Sequence, residues 1–329
     1  MRIGVFCSGG DAPGMNPCVR AVVRSAVSQG HEVVGILRGY QGLLDERLYV
    51  GEDGRAVMSL RSVSDTIQRG GTILFSSRSD EFRTDAGQRK AAAILRKHNI
   101  EGLIPIGGDG TFRGAMALAK HWDGRVIGCP GTIDNDLSGT DFTIGFHTAV
   151  QTAVEAIDKL RDTAESHDRL FLVEVMGRHN GYIAQYSALC GGAEIACIPE
   201  TPTNFDHMLA QLEELHNRGK SSIIIVVAEG DEAGGAQSIQ AQLEQQSLPY
   251  TARSVVLGHL QRGGSPSPAD RLLGSRLGDF AVQSILAGET GKMAGEVGGN
   301  LVLTPFAQTV DVKHRVPEDL VRLLGVLSQ

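Results

Sequence analysis

Short apolar runs alternating with stretches of helical period constrain this chain more than any other feature. Arg2–Cys7 (RIGVFC), Glu32–Leu37 (EVVGIL), Ile100–Gly107 (IEGLIPIG) and Arg125–Gly131 (RVIGCPG) read as strands. So do Leu170–Gly177 (LFLVEVMG), Glu194–Pro199 (EIACIP), Ser222–Gly230 (SIIIVVAEG) and Ser254–His259 (SVVLGH). Between them, Ala86–Asn99, Phe112–Trp122, His147–Glu165, Asp206–Arg218 and Ala269–Leu286 carry the spacing of helices. A further helix follows Arg2–Cys7, with Asn16 as its expected N-cap, Pro17 at its first position and Gly30 beyond its end. Tyr49–Leu60 reads as a surface loop or hairpin. Apolar strands alternating with helices form parallel sheets covered on both faces, built of right-handed βαβ units. The expected class is therefore α/β, doubly wound, with mostly parallel sheets.

Composition narrows the function. A chain of 329 residues that is 41% hydrophobic has enough apolar matter for one large or two ordinary domains. Its net charge of −7 without basic runs argues against general nucleic-acid binding. The five cysteines are odd in number and form no C-x-x-C, which argues against a disulfide framework and fits a reducing compartment; Cys7 and Cys129 read as core residues. No signal peptide or transmembrane run stands out, so a soluble, cytoplasmic protein is expected.

In doubly wound folds ligands gather at the carboxyl ends of strands. Here those ends carry SGGDAPG after Cys7, GGDGT after Ile106, PGTIDND after Cys129, MGRHNG after Val175, EG after Ala228 and GHLQRGG after Leu257. Glycines at a strand-to-helix turn let backbone N–H groups approach phosphate oxygens, and Asp109 within GGDGT suits Mg²⁺ on a polyphosphate. Tight βα turns that need glycine for positive φ are the plainer alternative. There is no G-x-x-x-x-G-K-[ST] and hence no P-loop lysine. Asp134 and Asp136 suit general-base and metal chemistry, or else an Asp-rich turn capping a helix. Arg169, Arg178, Arg253 and Arg262 flank strand ends, where a guanidinium fork suits phosphate, although any one of them could simply face solvent. His259 has the chemistry to bind a sugar hydroxyl or to sit satisfied at a sheet edge, and no Cys/His cluster points to zinc.

Taken together, GVFCSGGDAPGMN, GGDGT, GTIDNDLSGTDFTIGFHTA, VEVMGRHNG and VLGHLQRGGSPSPADR resemble the 6-phosphofructokinase family, in order and spacing, from Arg2 to about Gly288. GGDGT alone is shared with NAD kinases and diacylglycerol kinases, whereas TIDND with MGR and QRGG is specific. The resemblance implies transfer of the γ-phosphoryl of MgATP to the 1-hydroxyl of fructose 6-phosphate in glycolysis. It implies that Asp134 takes the hydroxyl proton and that Asp109 binds Mg²⁺. Gly10, Arg78, Ser79, Gly108, Gly110 and Thr111 would line the nucleotide. Thr132, Ile133, Asp136, Met176, Gly177, Arg178, Glu229, His259 and Arg262 would hold the sugar phosphate. Arg169 and Arg253 match positions that reach in from a neighbouring subunit of a homotetramer. The resemblance further implies two interleaved domains: residues 1–142 plus 261–310 for nucleotide, and 143–260 plus 311–329 for sugar phosphate.

Departures from the family pattern are informative. Pyrophosphate users resemble this chain but carry Asp at 110 and Lys at 131; glycine at both positions fits ATP as donor. GGTILFSSR nonetheless resembles the mixed ATP/pyrophosphate subgroup most, which keeps a pyrophosphate-dependent enzyme as the alternative. A second nucleotide site at subunit contacts would use Arg20, Arg24, Arg161, Glu194 and Lys220, all present. Leu60, Ser221 and Ser222 stand where basic or polar members are expected, which puts regulation by ADP or phosphoenolpyruvate in doubt. A non-catalytic nucleotide-sensing subunit is the alternative outside enzymes, and intact Asp109 and Asp134 weigh against it.

Overall fold

Ile3–Ser8, Gly102–Gly107 and Ile223–Ala228 are short runs whose side chains are buried on both faces, as parallel sheets between helix layers require. The computed structural model describes residues 1–166, 169–312 and 314–328. The elements run β1 (Arg2–Ser8), α1 (Met15–Ser28), β2 (Glu32–Gly35), α2 (Gly39–Leu44), α3 (Asp85–Lys97), β3 (Gly102–Gly107), α4 (Asp109–Leu118) and β4 (Arg125–Pro130). There follow α5 (Phe146–Glu165), β5 (Arg169–Val175), α6 (Tyr182–Cys190), β6 (Ile195–Cys197), α7 (Phe205–Asn217), β7 (Ile223–Ala228), α8 (Ala236–Leu243) and β8 (Thr251–Val256). The chain continues with α9 (Pro268–Leu286), β9 (Lys292–Val297), β10 (Asn300–Pro305), α10 (Phe306–Asp311) and α11 (Glu318–Leu327). Two compact units result. Unit 1 is Met1–Ile133, Leu137–His147 and Arg262–Lys313; unit 2 is Asp134–Asp136, Thr148–Gln261 and His314–Gln329. Against the expected limits at 142, 260 and 310, the chain changes unit after 147, 261 and 313, and Asp134–Asp136 join unit 2.

Unit 1 holds a six-stranded sheet in the order β10-β9-β4-β3-β1-β2. All pairings are parallel except β10 with β9. β1 pairs with β3 in register from Ile3↔Gly102 to Ser8↔Gly107, so the two strands end side by side. Because β2 lies on one side of β1 and β3 on the other, the strand order reverses there, which opens a crevice at the strand ends. Phe6, Val34, Leu103, Phe112, Trp122 and Phe306 anchor one core cluster of this unit. On another face α9 lies directly on α1: a Cβ on Gly274 or Gly278 would come within 2.7 Å of Gly14 O and 2.6 Å of Cys18 O, respectively.

Unit 2 holds a four-stranded, wholly parallel sheet in the order β6-β7-β5-β8. β5 lies between β7 and β8, so the ends at Val175, Ala228 and Val256 are neighbours. Leu170, Leu172, Ile223, Ile225 and Val227 pack on Met208, Leu212 and Ile239.

The expected strands and helices are present, with three differences. Asn16 does not cap α1, which starts at Met15 after Gly14. Its amide instead donates to Arg69 O and Gly70 O and accepts from Ile73 N, so it pins the 69–73 segment. The last strand of unit 2 is Thr251–Val256, and the GHLQR stretch forms a 3-10 turn, Gly258–Arg262. Tyr49–Leu60 is a loop, one of the two forms expected, and Met58 makes only an isolated bridge to Val33. The antiparallel β9–β10 pair was not expected. All five cysteines are free thiols, and burial pushes Cys7 and Cys197 up to about 12. Among the described residues no helix is long and apolar enough to cross a membrane.

Candidate active site

Unit 1 presents three glycine-bearing turns at adjacent strand ends. After β1, Gly9 takes φ 88°, and its carbonyl accepts from Ser76 Oγ at 2.6 Å. Arg262 lies on this turn: Nη1 donates to Asp11 O at 3.0 Å, and a Cβ on Gly10 would come within 2.7 Å of it. The guanidinium counted by resemblance among the sugar-phosphate residues therefore packs on the Gly10 loop of unit 1. After β3, Gly108 caps α4, so Asp109 is the first helical residue, half-buried, and the helix dipole favours an anion at this turn. Thr111 ties the turn down: Oγ1 donates to Ser8 O at 3.2 Å and its carbonyl accepts from Tyr40 Oη at 2.8 Å. Around Gly110 the space is open, with nothing within 4 Å of an added Cβ. Gly131, after β4, is different: Ile106 and Met15 lie within 2.9 Å of an added Cβ. Thr132 is buried, and Ile133 is wholly buried, which leaves its backbone for contact. Ser79 Oγ donates to Gln41 Oε1 and accepts from Phe82 N, while Arg78 is exposed.

Unit 2 holds its polar groups on a turn forced by backbone geometry. Gly177 takes φ 144° and Arg178 takes φ 56°, the left-handed region that a residue with a Cβ seldom enters. Glu229, at the end of β7, stabilises this turn by accepting from Gly177 N at 3.3 Å and Arg178 N at 2.9 Å. Gly230 has to be glycine, since a Cβ would lie 1.7 Å from Arg178 O. The turn brings Arg178 Nε to 3.5 Å from Oδ2 of Asp134, whose side chain is 3% exposed. The pairing offsets much of what burying a carboxylate costs. Asp136 is half-buried one residue beyond the wholly buried Asn135, and Met176 is buried. His259 is exposed on the 3-10 turn.

A buried carboxylate paired with a guanidinium is suited to take a proton from a hydroxyl, and the glycine turns of unit 1 are suited to hold phosphates. Comparison with known proteins decides what this combination belongs to. Residues 2–285 match the family model described as Phosphofructokinase. The chain belongs to the phosphofructokinase family. It is 52% identical to ATP-dependent 6-phosphofructokinase 1 of Thermus thermophilus over 99% of both chains. It is 50% identical to ATP-dependent 6-phosphofructokinase of Paenibacillus macquariensis, over 100% of this chain and 99% of that one. The structure of phosphofructokinase from Saccharomyces cerevisiae superimposes with a TM-score of 0.84 at 33% identity, covering 94% of this chain and 45% of the yeast chain.

Other residues singled out in the phosphofructokinase motifs lie elsewhere. Arg169 opens β5, six residues before Val175, which in a strand is about 20 Å. Arg253 pairs with Phe171 in the amino-terminal part of β5 and is exposed. Glu194 is buried and accepts from Ile224 N at 2.6 Å, with Lys220 Nζ at 2.5 Å and Arg161 Nη1 at 3.5 Å. Arg20 and Arg24, one helical turn apart on α1, are half-buried; Leu60 is exposed. Ser221 is exposed and Ser222 buried just before β7.

Gln261, part of the QRGG motif, carries a structural role that the motif does not announce. It is wholly buried; Oε1 accepts from Met176 N at 2.8 Å and Nε2 donates to Ala149 O at 3.2 Å. It thus fixes the start of the Met176–Arg178 turn from the 3-10 turn that carries His259. Gln261→Glu keeps the acceptor but loses the donor unless the carboxyl is protonated. Burial and the facing carbonyl raise that carboxyl's pKa in the folded state, so the variant's stability is retained at low pH and lost as pH rises. Thermal unfolding should show a small deficit against the parent near pH 5 and one of about 1–3 kcal/mol near pH 8. Equal deficits at both pH values would contradict this role.

Proposed function

We infer that the chain catalyses ATP-dependent phosphorylation of fructose 6-phosphate at its 1-hydroxyl, giving fructose 1,6-bisphosphate and ADP. The observation that carries this reading is Asp134, buried and 3.5 Å from Arg178, in a chain about half identical over its full length to ATP-dependent 6-phosphofructokinases. Asp134 accepts the proton of the 1-hydroxyl as O1 bonds to the γ-phosphorus and the bond from that phosphorus to the β–γ bridging oxygen breaks. Arg178 orients the carboxylate and adds positive charge. The Gly177 turn, Glu229 and His259 hold the sugar phosphate, with Thr132, Ile133 and Asp136 beside the base.

The donor phosphates are assigned to Gly10, Gly108, Gly110 and Thr111, with Arg78, Ser79 and Arg262. Asp109 fits a role as Mg²⁺ ligand: Mg²⁺ takes one or two carboxylates plus phosphates and water rather than a protein cage. The chain accords with that, since no group of three or more His, Cys, Asp or Glu forms a metal cluster among the described residues. A cation held there would neutralise charge on the donor phosphates. The open space at Gly110 leaves room for an α-phosphate, and Gly131 supplies no cation for pyrophosphate. Both favour ATP.

The working enzyme is a cytoplasmic homotetramer in which a neighbouring subunit supplies Arg169 and Arg253. The support is that Arg169 opens β5, a strand's length before the Met176–Arg178 turn, and that Arg253 sits within β8, three residues before the end that His259 follows. Arg161 and Lys220 already offset Glu194, which leaves the effector role of that cluster with Arg20 and Arg24 a further assignment to test.

Asp134→Ala should lower kcat by about 10²–10⁴ while fructose 6-phosphate still binds, as read by steady-state kinetics and calorimetry; near-native kcat would remove Asp134 from the role of base. Asp134→Ala and Arg169→Ala should each be nearly inactive alone and partly active after co-refolding, because some mixed contacts gather both defects in one site and leave another intact. A mixture that demonstrably co-assembles yet stays inactive would place the whole sugar-phosphate site within one chain.

A further inference from the structure

We propose that His314 is a positioning residue for the catalytic loop, clamping it to the segment that precedes α11. The proposal rests on the reading of Asp134 as the base. Asn135, between Asp134 and Asp136, is wholly buried and held at φ 53°, in the left-handed region that Asn enters more readily than other residues with a Cβ. Its carbonyl lies 3.2 Å from His314 Nδ1. A carbonyl only accepts, so Nδ1 carries the proton. That holds both for the neutral Nδ1–H tautomer and for the imidazolium.

His314 is itself fixed from two sides by residues of the MGRHNGY stretch. On the backbone side, Asn180 Nδ2 donates to His314 O at 2.8 Å, and Asn180 N donates to Gly177 O at 3.0 Å. On the ring side, Tyr182 packs with its centroid 4.8 Å from the imidazole; its hydroxyl lies 3.0 Å from Nε2 and donates to Arg315 O at 2.8 Å. Asn180 Oδ1 accepts from Tyr182 N at 2.8 Å, which locks the two supports together. One anchor therefore holds both the backbone beside Asp134 and the turn that carries Arg178. These are the two side chains whose separation of 3.5 Å defines the candidate base. A misplacement of about 1 Å at a reacting group can cost up to about 10² in rate. Nothing in the motifs announced His314, since it lies outside all of them.

The test compares His314→Ala, His314→Asn and His314→Gln with the parent and with Asp134→Asn, measuring kcat, KM for fructose 6-phosphate and thermal unfolding in the full chain. The Asn amide nitrogen falls near the position of Nδ1, and the Gln amide nitrogen near that of Nε2. His314→Ala should lose about tenfold or more in kcat with little change in KM. His314→Asn should return to within about threefold of the parent, and His314→Gln should not. Equal behaviour of the Asn and Gln variants, or parental kcat in His314→Ala, would overturn the proposal. If His314→Ala fails to fold, the Asn–Gln comparison still decides. If Asp134→Asn keeps parental kcat, the base assignment fails; if it is inactive while His314→Ala is unaffected, the clamp alone fails.

Discussion

Parallel pairing in fixed register is the constraint on which the rest of this structure depends. It sends every strand of a pair to the same edge of its sheet, so chemistry written at strand ends is gathered without further instruction. Ser8↔Gly107 and Gly107↔Pro130 set the three turns of unit 1 side by side. Val175↔Ala228 does the same for the Met176–Arg178 turn and Glu229. A slip of one residue in either pairing would reverse the faces of a buried strand and separate these partners.

Backbone proximity then does what side chains cannot. The Arg178 turn exists because Glu229 accepts two successive amides and because Gly230 leaves room for the carbonyl of Arg178. Gly10 leaves room for Arg262 in the same way. The cost of a left-handed arginine is offset by hydrogen bonds from outside its own loop, a pattern typical of functional turns. Charge is treated alike: the buried Asp134 and Glu194 each face cations fixed by the fold.

Much of this was legible in the sequence. Runs such as Ile223–Ala228 are apolar throughout, as a doubly covered parallel strand requires. The motifs at their ends identified the family before any geometry. What escaped has physical reasons. Asn16 has the chemistry of a cap, but Arg69, Gly70 and Ile73, distant in sequence, claim its amide. The β9–β10 hairpin did carry a local signal, Gly298-Gly299 with φ 56° and 79°, the turn that a two-residue loop prefers. Gln261 lies within QRGG, but its role, like that of His314, rests on backbone groups of Met176, Ala149 and Asn135, which a single sequence does not reveal. The entry of Asp134–Asp136 into unit 2 is likewise a matter of contacts, not of composition.

All of this chemistry converges on moving the γ-phosphoryl of ATP onto the 1-hydroxyl of fructose 6-phosphate. Phosphorus-31 NMR of the purified protein with fructose 6-phosphate and MgATP tests it most directly. Loss of the γ-phosphorus resonance is expected, matched one for one by a new monoester resonance on C1 of the sugar, with no such product when pyrophosphate replaces ATP. Comparable turnover with pyrophosphate, or γ-phosphate released as inorganic phosphate without sugar bisphosphate, would contradict it.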